Sequence, residues 1–248
     1  MNILPQVEDI VAQKRSRLAE RKARIPMTAL RALAGMQRRS EPVLTTITDT
    51  VMIIGQICHT PRGYDPVKTA IDFWQAGVDA VAMFTDDEVY EGSSNDLTLI
   101  SLAIPIPTLN LNYVFDEYQV VETRTAGASA LTLYPGLLDK VALRELTSAT
   151  QRNRMTAIID VGNADELHEV LDFCPPAIAM GKRTASGELD VRSVEYLRSF
   201  VPACSRIVLS APLRSLEEAR IAARLHVNAV YIEPNLTHSV DALREIFA

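Results

Sequence analysis

The sequence predicts an α/β fold, a (β/α)8 TIM barrel carrying an N-terminal helical extension, and three observations predict it. From about Val51 onward a short apolar, β-branched run, a polar turn and an amphipathic stretch recur eight times, at a period of roughly 25 residues. The runs are nearly continuous in Ile, Val, Leu and Ala, the composition of strands covered on both faces. Eight consecutive units within about 200 residues fit a closed barrel better than an open doubly wound sheet.

Ahead of the barrel the chain is helical in pattern from Leu4 to Arg24 and again from Pro26 to Ala34. Residues 1–48 therefore read as the extension and 49–248 as the barrel of a single domain. No Pro/Gly/Ser-rich linker divides the 248 residues, which suffice for one large core. Strands are expected at the runs that begin near Val51, Ala80, Ile106, Ala130, Thr156, Ala177, Arg206 and Asn228. Helices fill the intervals; the stretch from Asp190 to Phe200, for example, spaces its apolar residues three and four apart. Asp65, Ser93 or Ser94, Asp116, Asn163, Ser215 and Ser239 stand where a side chain can accept backbone N–H bonds at a helix start. Gly77 and Gly127 end helices just before the next strand, where a positive φ costs glycine little. Trp74 is expected to pack its helix against the barrel.

Composition narrows the function classes. Cys58, Cys174 and Cys204 show no paired spacing and no nearby histidine cluster, so they read as reduced thiols of a cytoplasmic protein, neither disulfides nor zinc ligands. The first residues lack a basic start before a long apolar run, and no apolar stretch reaches the roughly 18 residues of a membrane span, which argues against secretion and membrane insertion. Nine of the 25 Lys and Arg lie between Lys14 and Arg39 beside one acid, Glu20, in a chain of net charge −6. With no aromatic residue interleaved, this stretch reads as a solvated helix, not a nucleic-acid or membrane patch. Ile10, Val11, Leu18 and Ile25 then face the barrel, and the charges face outward or meet its acidic body. No cofactor is expected, and no metal site, because no His/Asp/Glu set has ligand spacing.

Three segments carry a resemblance. They are the helical stretch before the barrel, Phe84-Thr-Asp-Asp-Glu-Val-Tyr-Glu-Gly-Ser93 after the second strand, and Asp116-Glu-Tyr-Gln-Val120 with Ala126-Gly-Ala128 after the third. Their order and separation resemble the indole-3-glycerol phosphate synthase family, over essentially the whole chain. The resemblance implies a barrel lyase that closes an indole ring on a carboxyphenylamino-deoxyribulose phosphate, with loss of carbon dioxide and then water. That reaction needs a cation near the substrate carboxylate, a general acid, a general base and a phosphate cradle.

At the matching positions the chain departs from the family. Setting the proline of the family's Glu-x-Lys-x-x-Ser-Pro-Ser on Pro61 puts Gly55 at the glutamate, Ile57 at the lysine, Thr60 at the serine and Arg62 after the proline. The family's Leu-x-Lys-Asp-Phe meets Leu109 to Tyr113, with Leu111 on the lysine. Strand five keeps a shortened carboxylate, Asp160; strand six keeps Arg183, with Gly181 or Lys182 at the family's asparagines. Around the phosphate, Pro212, Leu213, Glu233 and Pro234 replace glycine- and serine-rich turns. The prolines remove backbone donors and Glu233 repels a dianion.

The expectation is a divergent homologue not competent for the ring closure, acting as a pseudoenzyme or a binding and assembly partner. The alternative is an active lyase, either by an altered mechanism or as a re-tasked barrel. In that alternative Asp160 and Lys182 are the catalytic candidates, as an acid/base pair or with Lys182 as an imine-forming amine. His59, Arg62, Asn110, Asn112, Arg183, Arg214, Glu233 and Asn235 are the candidate ligand-binding residues at the mouth, where a small anionic ligand or a protein partner would bind.

Overall fold

The computed structural model of the chain describes residues 5–38, 43–44, 50–59, 63–85 and 92–248. Two helices, α1 (Pro5–Arg24) and α2 (Met27–Met36), precede the first strand, β1 (Met52–Ile57). Helix and strand then alternate as α3 (Pro66–Gln75), β2 (Ala80–Met83), α4 (Ser94–Ala103), β3 (Thr108–Asn110), α5 (Glu117–Thr125) and β4 (Ala130–Leu133). The second half continues with α6 (Lys140–Arg152), β5 (Thr156–Val161), α7 (Ala164–Leu171), β6 (Ala177–Met180), α8 (Val191–Arg198), β7 (Arg206–Leu213), α9 (Leu216–Ala223), β8 (Ala229–Ile232) and α10 (Val240–Phe247). The strands pair in chain order, all parallel, and β8 closes on β1. The expected (β/α)8 barrel is the one observed.

Alternate residues of each strand serve two cores. Ile53, Val81, Leu131, Ile159, Ile178 and Val230 point outward beneath the helices. Ile54, Ala82, Leu109, Ala130, Ile158, Ala177, Val208 and Ala229 belong to a second cluster inside the barrel, joined by Val43 and Leu44. Thr156 Oγ1 donates to the Val43 carbonyl at 2.7 Å, which ties that segment to the entry end of β5.

Asp65, Ser93, Asp116, Asn163 and Ser215 each accept a first-turn N–H, and Ser93 with Asp96 completes a reciprocal capping box. Ser239 makes no side-chain cap. A 3-10 turn over Pro234–Ser239 leads straight into α10, leaving no break at which a side chain would substitute for the backbone. Gly77 and Gly127 adopt φ of +88° and +89° as expected. On α3 the aromatic roles are reversed from expectation. Phe73 is fully buried against β1, while Trp74 is 40% exposed.

The basic extension lies along α5. Arg21 pairs with Glu122 at 2.8 Å, Lys22 with Asp116 at 2.6 Å, and Arg31 with Glu117 at 3.1 Å. Val11 and Leu18 are buried, whereas Ile25 lies past the end of α1 and is turned outward; the side chain of Ile10 lies outside the described residues. Tyr118, buried beneath the helix, donates its hydroxyl to the carbonyls of Arg21 and Ile25.

The cysteine expectation is corrected. Cys174 and Cys204 form a disulfide across 30 residues of chain. Ala177 of β6 faces Arg206 of β7, so the two cysteines, shortly ahead of these partners, meet at the entry ends of neighbouring strands. Spacing along the chain does not reveal a pairing that strand register creates. Cys58 remains a free thiol. The disulfide removes the reduced-thiol part of the cytoplasmic expectation. Among the described residues, no helix is long and apolar enough to cross a membrane.

Candidate functional site

The carboxyl ends of the strands frame a cavity of about 200 Å³. Its wall is the next inward layer above the inner core. Gln56 of β1, Phe84 and Leu111 just past β2 and β3, Thr132 of β4, Asp160 of β5, Ala179 of β6, Ser210 of β7 and Tyr231 of β8 each stand two residues beyond an inward core position. Tyr134 and Pro212 complete the lining. Tyr134 donates its hydroxyl to the Leu111 carbonyl at 2.9 Å.

Among the described residues, Asp160 is the one carboxylate in this lining. Burial pushes its carboxyl up to about 7, against the downward pull of Ser210 and Lys182, and Glu166 adds to the rise. Ser210 Oγ donates to the Gly181 carbonyl at 2.8 Å. With that proton committed, the hydroxyl accepts from a protonated Asp160; turned the other way, it supports the carboxylate. Burial, then Asp160 itself, drives the Tyr231 phenol well above its ordinary range. Lys182 acts on Asp160 through its charge but does not line the cavity. The Thr132 hydroxyl, buried in the wall, has no hydrogen-bond partner.

On β1 the expected register is corrected. Gly55 and Ile57 face the helix layer: Ile57 belongs to the outer core, and a Cβ at position 55 would lie 2.5 Å from Phe73 Cγ. The mouth-facing positions are Gln56 and, by the same alternation, Cys58, whose thiol is raised by burial and then by Glu233. Side-chain alternation along the strand decides which of these residues face the mouth. Neither register supplies an ammonium group. Leu111 faces the cavity as expected.

Four candidates meet at the rim beyond β6, β7 and β8, in a network of their own. Arg183 donates to Glu218 at 2.7 and 3.0 Å and to the carbonyls of Pro212 and Gly187. Arg214 Nε donates to Glu233 at 2.7 Å, its backbone N–H reaches Glu218 at 2.8 Å, and Asn235 donates to its carbonyl at 2.9 Å. Arg183 holds the Glu218 carboxyl below the usual range. Both rim cations are thus neutralised by built-in carboxylates.

The remaining candidates sit elsewhere. Asn110 turns away from the axis, donating to Thr123 Oγ1 at 2.9 Å and accepting from Thr85 Oγ1 at 3.1 Å. Asn112 accepts from Lys14 Nζ at 2.8 Å and so links α1 to the barrel, beside a second cavity of about 420 Å³ under that helix. His59 is exposed and stacks on Tyr64 with centroids 4.4 Å apart. Arg62, with Thr60 and Pro61, lies outside the described residues. Of the described members of the expected set, Asp160 alone lines the cavity. Gln56, Thr132 and Tyr231 were not singled out from sequence, although period-2 alternation on each strand points to them. Among the described residues, no group of three or more His, Cys, Asp or Glu could hold a metal ion.

A family model described as indole-3-glycerol phosphate synthase matches residues 7–247. A protein of that name from Oceanobacillus iheyensis is 31% identical over 170 residues, covering 68% of this chain and 65% of that protein. Another of that name, from Albidiferax ferrireducens, is 24% identical over 258 residues and covers 98% of each. Among solved structures, a thiamine phosphate pyrophosphorylase from Pyrococcus furiosus superposes with a TM-score of 0.59 at 10% identity. It covers 81% of this chain and 98% of that one, a likeness of fold alone.

Proposed function

Because the chain belongs to the indole-3-glycerol phosphate synthase family, we propose that it keeps the family's barrel but has given up the ring closure, and works as a pseudoenzyme that binds a ligand or a partner. The observation that carries this reading is the mouth itself. Cys58 and Leu111 stand at the mouth-facing positions nearest the family's two lysines, and neither carries an ammonium group that could protonate a carbonyl or pair with a carboxylate. At the rim, Arg183 and Arg214 are bound to Glu218 and Glu233, which would repel a phosphate dianion. Losing one general acid costs roughly 10²–10⁴ in rate, and losing preformed charge stabilisation costs a comparable factor.

Turnover of the carboxyphenylamino-deoxyribulose phosphate is therefore expected at least about 10⁴-fold below that of an active relative assayed beside it. Robust formation of indole-glycerol phosphate would end this reading. A re-tasked enzyme is favoured by one observation, the near-neutral carboxyl of Asp160 in the mouth cavity, which suits proton transfer. An adduct trapped by borohydride at Lys182 with a carbonyl compound would move the balance to that side.

A further inference from the structure

Resting on the reading that ring closure is lost, we propose that the barrel mouth binds a small uncharged polyhydroxyl compound of three to five carbons. Three features of the cavity carry this. Its volume, about 200 Å³, is below the roughly 300–1,000 Å³ of pockets for drug-sized ligands.

The wall also selects charge. Among the described residues no Lys or Arg lines it, Asp160 is the one carboxyl in it, and the guanidiniums of Arg183 and Arg214 are already paired with Glu218 and Glu233. An anion would enter beside the Asp160 carboxyl, with Arg183 and Arg214 already bound to carboxylates.

Finally, the hydrogen-bonding groups ask for hydroxyls. The Thr132 hydroxyl is buried in the wall with no partner, and a buried polar group is ordinarily paired. Thr132 pairs in register with Ile158, so it projects one pleat below Asp160 on the adjacent strand. A guest bearing hydroxyls on neighbouring carbons can serve both groups at once. Each hydroxyl both donates and accepts, as the exchangeable Asp160–Ser210 contact demands. Phe84, Tyr134 and Tyr231 give the C–H face of such a guest an aromatic wall.

Saturation-transfer NMR on the full chain, with glycerol, erythritol and ribitol as neutral probes and glycerol 3-phosphate as the anionic one, tests this. Saturable binding of at least one neutral probe is expected below about 10 mM, with the anion at least tenfold weaker. Thr132→Val, which keeps the shape, should weaken the neutral probe at least tenfold, while Thr132→Ser should retain it. Three results would overturn the proposal: no saturation by any neutral probe, equal or better binding of the anion, or unchanged binding by a folded Thr132→Val protein. The comparison of neutral with anionic probes on wild type stands whether or not a variant folds. Absent binding with absent turnover removes the polyol alone, whereas robust turnover removes the parent reading as well.

Discussion

Asp160 shows how one side chain couples the site to stability. Its carboxyl ordinarily titrates at 3.8 and here at about 7, so the folded state holds the proton more tightly than the unfolded state. The stability this confers is complete below about pH 4 and is lost as pH rises through about 7. Asp160→Asn removes the titration. The variant should be more stable than wild type above pH 7, by about 1–3 kcal/mol, and should show a flatter profile between pH 4 and 7. Denaturant unfolding at several pH values checks this, and parallel profiles for the two proteins would refute it. Asp160 was legible in the sequence because it ends an apolar run. Its neighbours Thr132 and Tyr231 were not, because both read as ordinary strand residues until alternation is followed through the closed barrel.

Each expected strand run became a strand, and most helix starts were capped as their side chains suggested, because both signals are local. What failed at this level was facing. Phe73 and Trp74 are adjacent aromatics on one helix, and which of them is buried depends on where α3 meets β1. The contact is close: Gly55 admits the Phe73 ring where any Cβ would collide at 2.5 Å. Gly55→Ala is expected to destabilise by about 1–3 kcal/mol as the ring is displaced. Combining it with Phe73→Leu should cost less than the sum of the two single changes, since both act on one contact. Thermal or urea melts of the two single variants and the double variant measure this, and strict additivity would show that the two sites do not press on each other.

The whole molecule is a closed sheet stapled at one end, with a cavity at the other. The Cys174–Cys204 bond joins the entry ends of β6 and β7, opposite the cavity, and closes a loop of 30 residues. Loop-closure entropy puts its removal at about 2–4 kcal/mol. Urea unfolding with and without dithiothreitol, or of Cys204→Ser, should show that loss. The sequence by itself determined the class of fold, the order of its elements and the family, because hydrophobic period, caps and spaced motifs are properties of neighbours along the chain. Only the tertiary structure decided which residues of β1 face the axis, that two distant cysteines meet, and that the rim arginines are bound to Glu218 and Glu233. These facts depend on the register of strands and the approach of loops far apart in the chain, which no local pattern encodes.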